Sequence, residues 1–464
     1  MHAIPGICGL LALMLAGHML NAGAQEAPGD APPLQAGFAR ADITPPVGAQ
    51  IPGGFNKNIS KGVRDPLWVE AAVFVNASTA LAVVGVDTLM IPDDVVAEAR
   101  REAERLSGIP AAHILIAASH THSGGPAVDC LGSERDPAYC RTLAQQTAQA
   151  VAEARRNAVP ARVGAGLGYE DSVSFNRRFR MKDGSVRTHP GRMNPDIVEP
   201  EGPMDPDVAV IAVESAAGEL LGCIVNHALH ATVVGGSEFS PDWPGYMRQT
   251  IRGGIGREIG VVFLNGACGD VTQVDNRNPR APEFGEAWGR RIGAILGAEA
   301  IKVLARMEYS ADAPLAVAVE TLQLPIRDLG ESDEALVARE TPASGLGASQ
   351  NESYLREAAM VRAMKAASPT VPVEVQAIRI GSAAIVTNPA EFFCALGLAI
   401  KADSPWRPTL VAELANGYVG YVPTAEAFGG GYEVRTARSS FLDPIAGGEI
   451  VAASLRVLRR LNNE

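Results

Sequence analysis

Short apolar runs rich in β-branched residues alternate with segments of helical periodicity along most of the chain. The helical segments span residues 95–106, 139–156, 286–306 and 450–461. The runs that predict strands are WVEAAVFV, ALAVVGVD, HILIAAS, VAVIAVES, LLGCIVNH and GVVFLNG. Two further stretches, VFVNASTALAVV and AIRIGSAAIVT, predict antiparallel hairpins. The pattern therefore predicts a mixed α/β (α+β) fold in which mixed β-sheets pack together and are flanked by helices.

Length, composition and charge narrow the class of protein. A chain of 464 residues, 47% of them hydrophobic, can form one large domain or two smaller ones. A net charge of −12 without any cluster of lysine and arginine argues against a nucleic-acid partner. Residues 326–370 are polar, rich in alanine and serine, and helical in character. They predict a surface insertion or a boundary before a C-terminal segment.

The N-terminus is typical of an exported protein. Residues 1–24 combine a short apolar stretch with the small residues AGA, which suit signal cleavage, although no lysine or arginine precedes them. An uncleaved membrane anchor is the alternative. Residues 25–35 form a Pro-rich lead-in, and we expect the mature protein in the periplasm or the medium. In that setting, Cys130 and Cys140, on either side of LGSERDPAY, predict a disulfide.

Four of the eight histidines fall into two tight groups at the ends of predicted strands. His120 and His122 follow ILIA, and two residues apart they point to one face if the strand continues. His227 and His230 lie three apart, which suits one helical turn or a loop. Neutral imidazole is a common ligand of zinc, which at catalytic sites takes about three protein ligands and a water. The grouping predicts zinc at the strand ends; buried, hydrogen-bonded histidines are the alternative.

Three stretches near the C-terminus offer oxygen ligands and acid or base groups. TNPAEFF places Glu391 in the first turn of a predicted helix, where a carboxylate also stabilises the helix dipole. ANGYVGYVP offers Tyr418 and Tyr421, and the Gly-rich approach to Tyr432 predicts a mobile loop over a site or a plain surface turn.

Two stretches between the histidine groups and the C-terminal part add polar candidates. In SFNRRFRMKDG, Arg177 or Arg178 binds an oxyanion or a polar head group, or belongs to a solvated basic loop. FLNGACGDVTQVDN follows an apolar strand and offers Asp270 and Thr272 in a turn of the kind that lines active sites, or in a plain tight turn.

The order of these motifs resembles the catalytic domain of the neutral (non-lysosomal) ceramidases, which are zinc amidases. The resemblance runs from about residue 36 to the C-terminus, and GFARADITPP resembles the opening strand of that domain. The motifs occur in the order HTHSG, NR, a histidine followed by DWPGY, NGACGDVT, NPAEF, NGYVGY and GGGYE. Full-length ceramidases carry a further C-terminal immunoglobulin-like domain, which we expect to be absent because residues 36–464 end shortly after the last motif.

Carried over position by position, the resemblance implies a role for eight residues. The implied zinc ligands are His120, His230, Glu391 and Tyr421. His122 would lie beside the metal and contact the substrate or the intermediate. The residues implied to support the reaction are Arg177, Tyr432 and Thr272, the last in place of the serine that is usual in the family. His230 matches the second zinc histidine better than His227, since Tyr246 of DWPGY follows it at the expected interval.

The resemblance implies an exported, Zn²⁺-dependent amidohydrolase. Its expected substrate is an N-acyl amide, either ceramide or a related N-acyl lipid, which zinc-activated water cleaves to a fatty acid and a sphingosine-type amine. Access to such a lipid implies transient contact with a membrane surface. The alternatives are the same metal site acting on smaller N-acyl amines, peptide-like amides or esters, and a binding protein of the same fold without catalysis.

Overall fold

The protein is described here from a computed structural model that covers residues 34–280, 284–344 and 350–462. The predicted signal sequence, residues 1–24, lies outside the described residues, as do residues 25–33 of the lead-in. Leu34 is already buried and the first strand begins at Gln35, so the folded body starts slightly earlier than the sequence predicts. None of the helices in the described ranges has both the length and the apolarity needed to cross a bilayer.

The described residues form strands and helices in alternation. The strands are β1 Gln35–Asp42, β2 Gly62–Val63, β3 Trp68–Val75, β4 Ala80–Val86, β5 Ile114–Ala118, β6 Val159–Tyr169, β7 Phe175–Asn176, β8 Arg178–Met181, β9 Val186–Thr188, β10 Ile197–Pro200, β11 Asp207–Ser215, β12 Leu220–His227, β13 Glu238–Phe239, β14 Gly260–Asn265, β15 Val271–Thr272, β16 Leu315–Pro325, β17 Thr370–Ile380, β18 Ala383–Thr387, β19 Glu391–Phe392, β20 Thr409–Ala412 and β21 Tyr421–Val422. The helices are α1 Asp93–Ser107, α2 Pro137–Arg156, α3 Asp242–Ile255, α4 Glu286–Leu304, α5 Asp333–Ser344, α6 Asn351–Ala367, α7 Cys394–Asp403 and α8 Ala446–Arg460. The predicted mixed α/β class is confirmed, with element ends shifted by a few residues.

The largest sheet has eight strands in the order β14-β12-β11-β6-β1-β3-β4-β5. It is mostly antiparallel, but the terminal pairs β4–β5 and β12–β14 are parallel. The sheet folds over on itself, because β14 at one end packs closely across β4 near the other. A Cβ atom on Gly85 of β4 would lie 2.5 Å from the carbonyl oxygen of Phe263, so this contact requires glycine. The folding brings the two ends of the sheet together.

The second large sheet, in the order β16-β17-β18-β20, packs against the first through a shared apolar core. Strand β5 shows why its sequence is apolar throughout. Leu115 and Ala117 face the core shared by the two sheets, whereas Ile114 and Ile116 face a core that the first sheet shares with α1 and α2. A strand buried on both faces needs apolar residues at every position, and this explains the run ILIA.

Backbone hydrogen bonds join the segments that follow β5, β12, β14 and β20. The amide of His122 donates to the carbonyl of Ala231 at 3.0 Å, and that of Glu413 donates to the carbonyl of Asn265 at 3.0 Å. The amide of Gly266 donates to the carbonyl of His227 at 2.9 Å. Loops that are far apart in sequence therefore lie against one another where these strands end.

The predicted disulfide between Cys130 and Cys140 is wrong, since both residues are free thiols. Asp136 caps α2 and accepts a hydrogen bond from the amide of Ala138 at 2.8 Å, which places Cys140 in the first turn of that helix. The thiol of Cys140 then points at the carbonyl of Ala127, 3.4 Å away, while Cys130 belongs to a separate tight turn. The intervening helix start directs the two thiols into different surroundings.

Residues 326–370 contribute to the core and are not a surface appendage. They carry α5 and α6, which lie in sequence between the paired strands β16 and β17, and the apolar sides of both helices are buried in a core cluster that also contains residues of these strands. Leu336 and Val337 of α5 and Tyr354, Ala358 and Val361 of α6 belong to that cluster. The polar residues noted in the sequence cover the outer sides of two packed helices.

Candidate metal centre

Three imidazole rings converge where the loops after β5 and β12 meet. The nitrogens that His120, His122 and His230 offer as ligands all lie within 4.8 Å of one another. The two Nε2 atoms of His120 and His122 are 3.4 Å apart, and the ring centroids of His120 and His230 are 4.5 Å apart. His120 and His230 are buried, whereas His122 is half-buried. Of the two histidines in the second group, the structure brings His230 and not His227 into this cluster.

Each of the three rings is fixed through its Nδ1 atom by a backbone carbonyl. The partners are Leu89 for His120 at 2.9 Å, Gly53 for His122 at 3.2 Å, and Cys268 and Val271 for His230 at 2.7 and 3.1 Å. A carbonyl only accepts hydrogen bonds, so each Nδ1 carries the proton and each Nε2 of a neutral ring presents a lone pair. This is the arrangement by which proteins orient metal-binding histidines.

The backbone at His120 differs from the predicted strand. Strand β5 ends at Ala118, and His120 adopts a left-handed conformation with φ of 64°. A non-glycine residue in this region stores conformational strain of about 1–3 kcal/mol, which the surroundings must hold in place. The alternation of a strand therefore does not account for the proximity of His120 and His122. The turn at His120 and the carbonyls of Leu89 and Gly53 aim both rings at one point.

Glu391 supplies a carboxylate to the same point. Its Oε2 atom lies 3.4 Å from Nε2 of His120 and 3.6 Å from Nε2 of His230, while its Oε1 accepts a hydrogen bond from the hydroxyl of Tyr418 at 3.0 Å. The prediction that Glu391 begins a helix is wrong. It lies in β19, which pairs in parallel with Tyr421 in β21, and α7 starts only at Cys394.

The Oε2 atom of Glu391 is the strongest sign that a cation belongs here. It is buried, and it accepts no hydrogen bond from any described residue. A buried carboxylate oxygen without a partner is costly, and so are lone pairs that face each other, as those on Oε2 of Glu391 and Nε2 of His120 do across 3.4 Å. A cation among these atoms would satisfy all of them. The side chains thus fit a metal ion.

The electrostatics of two of the three rings agree with this arrangement. Burial and the nearby Arg177 guanidinium lower the pKa of His230 to about 3, and burial lowers the pKa of His122 well below its ordinary value. Burial also opposes protonation of His120, but the Glu391 carboxylate outweighs it and raises the pKa of that ring. His122 and His230 are therefore neutral near pH 7 and offer lone pairs.

Two tyrosines and one arginine border the carboxylate. Tyr421 stands opposite Glu391 in the β19–β21 pair, and its hydroxyl lies 2.5 Å from the hydroxyl of Tyr432. The Nη2 atom of Arg177 donates to the Tyr421 hydroxyl at 3.2 Å, and Nη1 lies 3.3 Å from Nε2 of His230. All four residues predicted as metal ligands, together with His122, Arg177 and Tyr432, thus lie in one cluster; their roles in it remain predictions.

A buried ion-pair network holds Arg177 and the Gly-rich loop in place. Glu433 accepts from Nε of Arg177 at 2.8 Å and from Nη1 of Arg178 at 2.7 Å, and also from the hydroxyl of Thr188 at 2.6 Å. Although burial opposes ionisation, the two guanidinium groups lower the pKa of Glu433 to about 2. The sequence left Arg177 and Arg178 as alternatives. Arg177 reaches the cluster, whereas Arg178 also binds Glu201 and anchors the loop.

The structure does not bring Thr272 and His227 into the cluster through their side chains. The hydroxyl of Thr272 donates to the side chain of Gln273 at 2.8 Å. The segment contributes instead through the carbonyl of Val271, which precedes Thr272 and accepts a hydrogen bond from Nδ1 of His230. His227 donates through Nδ1 to the carbonyl of Asp207 at 2.9 Å, and its Nε2 lies 2.9 Å from the hydroxyl of Ser174.

Asp270, the other polar candidate of that turn, is a buried structural carboxylate. It accepts hydrogen bonds from the amide of Cys394 at 2.7 Å and from the side chain of Asn176 at 2.7 Å. Burial raises its pKa to about 6. Asp270 therefore joins the start of α7 to the segment that carries Arg177.

Gly53 offers a test of how the half-buried histidine is held. Its φ is 110°, and an added Cβ atom would lie 2.7 Å from Nδ1 of His122. Gly53→Ala is expected to displace that ring and to lower, by about tenfold or more, the kcat of any reaction that uses it, because a shift of about 1 Å at a reacting group is expensive. The measurement is kcat together with a crystal structure of the variant.

Gly48 in the same loop provides the matched control. It has a similar φ of 99°, but an added Cβ atom would meet nothing within 4 Å. Gly48→Ala therefore introduces the same kind of backbone strain without touching His122, and it is expected to retain kcat. Equal losses in the two variants would show that loop strain, and not the position of the ring, sets the activity.

Taken together, the fold and the cluster define a mixed α/β protein with a buried candidate metal centre of nitrogen and oxygen donors. Among solved structures, the chain is similar to the neutral ceramidase from Pseudomonas aeruginosa, with a TM-score of 0.69 and 20% identity over 93% of this chain and 75% of that one. A structure of ceramidase complexed with C2 gives the same TM-score, identity and shares. The described residues thus form a neutral-ceramidase-like domain, as the order of the motifs predicts.

A curated relative points in the same direction. The neutral ceramidase of Pseudomonas aeruginosa is 26% identical over 291 residues, which make up 58% of this chain and 42% of the relative. The match therefore spans less than half the length of that relative. A search with protein-family models gave no match for this chain.

Proposed function

We propose that this protein is a zinc-dependent amidohydrolase that cleaves the N-acyl amide bond of ceramide or a related N-acyl lipid, releasing a fatty acid and an amine. The observation that carries the proposal is the convergence of the Nε2 atoms of His120 and His230 on the unpartnered Oε2 of Glu391. The substrate class is supported by the similarity to proteins described as neutral ceramidases. The N-terminal sequence supports export to the periplasm or the medium, with transient contact at a membrane surface to reach the lipid.

The donor set supports zinc as the metal. His120, His230, Glu391 and Tyr421 would hold it through two nitrogens and two oxygens, which are ligand types that zinc accepts, and the rigid carbonyl contacts to the rings are typical of such sites. When bound, zinc lowers the pKa of a coordinated water and polarises a carbonyl group. This supplies a nucleophile near neutral pH without a covalent acyl-enzyme.

The remaining residues of the cluster divide the other tasks of amide hydrolysis. Arg177 and Tyr432 present a guanidinium group and a hydroxyl beside Tyr421, where they would stabilise the negative charge that develops on the carbonyl oxygen. His122 is the least buried of the three histidines, and its Nε2 would carry a proton to the leaving amine. Its Nδ1–H stays on the carbonyl of Gly53 throughout, which fixes the ring.

Metal analysis combined with a hydrolysis screen tests the proposal. Purified protein is expected to contain about one zinc per chain. It should release fatty acid from long-chain ceramide, lose this activity with a chelator and regain it with added zinc. The same assay is carried out in parallel with short-chain ceramide, N-acyl amines, peptide amides and esters. A preference for these over long-chain ceramide would indicate that the substrate is a smaller molecule. Protein that binds no zinc and cleaves none of these substrates would favour a binding protein of the same fold.

Tyr432→Phe tests stabilisation of the developing charge. Removing one donor from such a site costs about 10²–10³-fold in kcat, and KM should change little because the bond strengthens only in the transition state. Tyr169→Phe is the matched control, since Tyr169 is 61% exposed and its hydroxyl donates to Asp171 at the surface. A fall in kcat/KM that arises from KM alone would assign Tyr432 to substrate binding instead.

A further inference from the structure

We propose that Glu413 is a positioning residue of the metal centre, and that its side chain ties together the two backbone segments that set Glu391 and His230. The inference rests on the proposed function in one respect, namely that this cluster holds zinc. Glu413 follows β20 directly and is fully buried. It stands outside the sequence motifs from which the site was predicted.

The geometry of Glu413 is that of a clamp. Its Oε2 accepts hydrogen bonds from the amide of Phe392 at 2.8 Å and from the amide of Cys268 at 3.0 Å. Its Oε1 accepts one from the thiol of Cys268 at 2.9 Å. One carboxylate thus holds two chain segments that lie more than 120 residues apart in sequence.

Both segments lead directly to predicted ligands. Phe392 is the neighbour of Glu391, and the carbonyl of Cys268 accepts the Nδ1–H of His230 at 2.7 Å. The amide of Gly269 closes the arrangement by donating to the carbonyl of Phe392 at 2.9 Å. A displacement of the Cys268 or Phe392 backbone would therefore move a ligand nitrogen, a ligand oxygen or both.

The backbone segments around Gly269 and Glu391 are packed in direct contact. A Cβ atom added to Gly269 would lie 2.5 Å from the carbonyl oxygen of Glu391, so the two backbones touch. Leu414, next to Glu413, adopts a left-handed conformation with φ of 51°, a second sparsely populated backbone state beside the cluster. Close packing of the two segments that Glu413 joins, and the constrained backbone at Leu414, thus both limit movement around Glu413.

The chemistry of Glu413 separates it from the carboxylates that serve the fold. Glu70 and Asp87 are buried too, but each pairs with an arginine, Arg252 and Arg248 respectively. Within the described ranges, no lysine, arginine or histidine forms a salt bridge with Glu413. A carboxyl group buried without a cation is costly, and its use here is explained by the two backbone amides and the thiol that it satisfies together.

The acceptor geometry predicts different outcomes for two substitutions. Glu413→Gln keeps an oxygen where Oε2 accepts both amides, so the zinc dissociation constant should stay within about threefold of the wild-type value. Glu413→Ala leaves both amides without a partner, and it is expected to weaken zinc binding by about 10–100-fold, the range for groups that orient metal ligands. The measurements are zinc affinity by competition with a chelating dye and the absorption spectrum of the cobalt-substituted protein.

Glu70→Ala controls for a general loss of stability. It removes a buried carboxylate bound to Arg252, and it should lower the free energy of unfolding while leaving zinc affinity and the cobalt spectrum unchanged. Should Glu413→Ala not fold, Glu413→Asp keeps the carboxyl group but shortens its reach, and it is expected to weaken zinc binding by about tenfold.

Three results would overturn the proposal. One is wild-type zinc affinity and an unchanged cobalt spectrum in folded Glu413→Ala, or in Glu413→Asp where the alanine variant does not fold. Another is equal weakening in Glu413→Gln and Glu413→Ala, which would show that an oxygen acceptor for the two amides is not what supports the ligands. The third is wild-type protein that binds no zinc, which would also end the proposed function. Wild-type protein that binds zinc but releases no fatty acid would count against the proposed function alone.

Discussion

His230→Ala is expected to abolish stoichiometric zinc binding and to lower kcat/KM for amide hydrolysis by at least about 1,000-fold. On the proposed function, loss of the metal would return the pKa of the attacking water from about 7 toward its much higher bulk value, and polarisation of the carbonyl would be lost as well. His230 is buried, its Nδ1 is held by two carbonyls, and its Nε2 lies 3.6 Å from Oε2 of Glu391. Isothermal titration with zinc and single-substrate kinetics measure the two effects.

His227→Ala is the matched control, three positions earlier in the chain. It removes a buried ring that contacts Asp207 and Ser174 and has no contact with the cluster. The variant is expected to keep its zinc stoichiometry while losing about 1–3 kcal/mol of stability, because buried polar partners are left unsatisfied. If His227→Ala lost zinc and His230→Ala kept it, the assignment of the second histidine would be reversed.

Glu433→Gln is expected to lower the free energy of unfolding by about 3–5 kcal/mol at pH 7. It removes the negative charge between Arg177 and Arg178, and breaking a buried pair leaves an uncompensated buried cation. The pKa of Glu433 is about 2 in the folded protein, below its ordinary value of 4.5. A lowered pKa contributes stability that is fully present above the unfolded-state value and is lost as the pH falls from about 4.5 toward 2.

The pH dependence provides the second readout for this variant. Denaturant unfolding at pH 7 and at pH 3 should show a smaller difference between wild type and Glu433→Gln at the lower pH. Glu320→Gln is the control, because Glu320 also binds two arginines, Arg456 and Arg460, but at the surface. Glu320→Gln is expected to lower the free energy of unfolding by at most about 1 kcal/mol. Similar losses in both variants would show that burial adds nothing to the Glu433 network.

The strands were predictable because their burial is uniform along each run. β5 is apolar at every position since its two faces pack into two different cores, and the same holds for its neighbour β4. Glu391 was wrongly predicted to lie in a helix because the local sequence signal there does not reflect the pairing with a distant strand. Asn388 and Pro389 are typical of a helix start, but the helix begins five residues after Pro389, once β19 has paired with β21. A partner 30 residues away overrides the local signal.

The motif residues of the cluster could be found from the sequence, but not the groups that hold them. His120, His230, Glu391 and Tyr421 carry chemistry that stands out in their motifs. The carbonyls of Leu89 and Gly53 carry no sequence signal at all, since every residue has one. Glu433 is the last residue of the GGGYE motif, but only the fold shows that it pairs with both Arg177 and Arg178.

The supports of the candidate metal centre come from distant parts of the chain, from Gly53 in an early loop to Tyr421 near the end. A nascent chain that still lacks its C-terminal part presents the neighbouring imidazoles of His120 and His122 without Glu391 and Tyr421. Binding of the proposed zinc would then require complete assembly, and its binding energy would stabilise only the folded protein. Resistance to unfolding should accordingly rise with the concentration of free metal in the compartment where the chain matures.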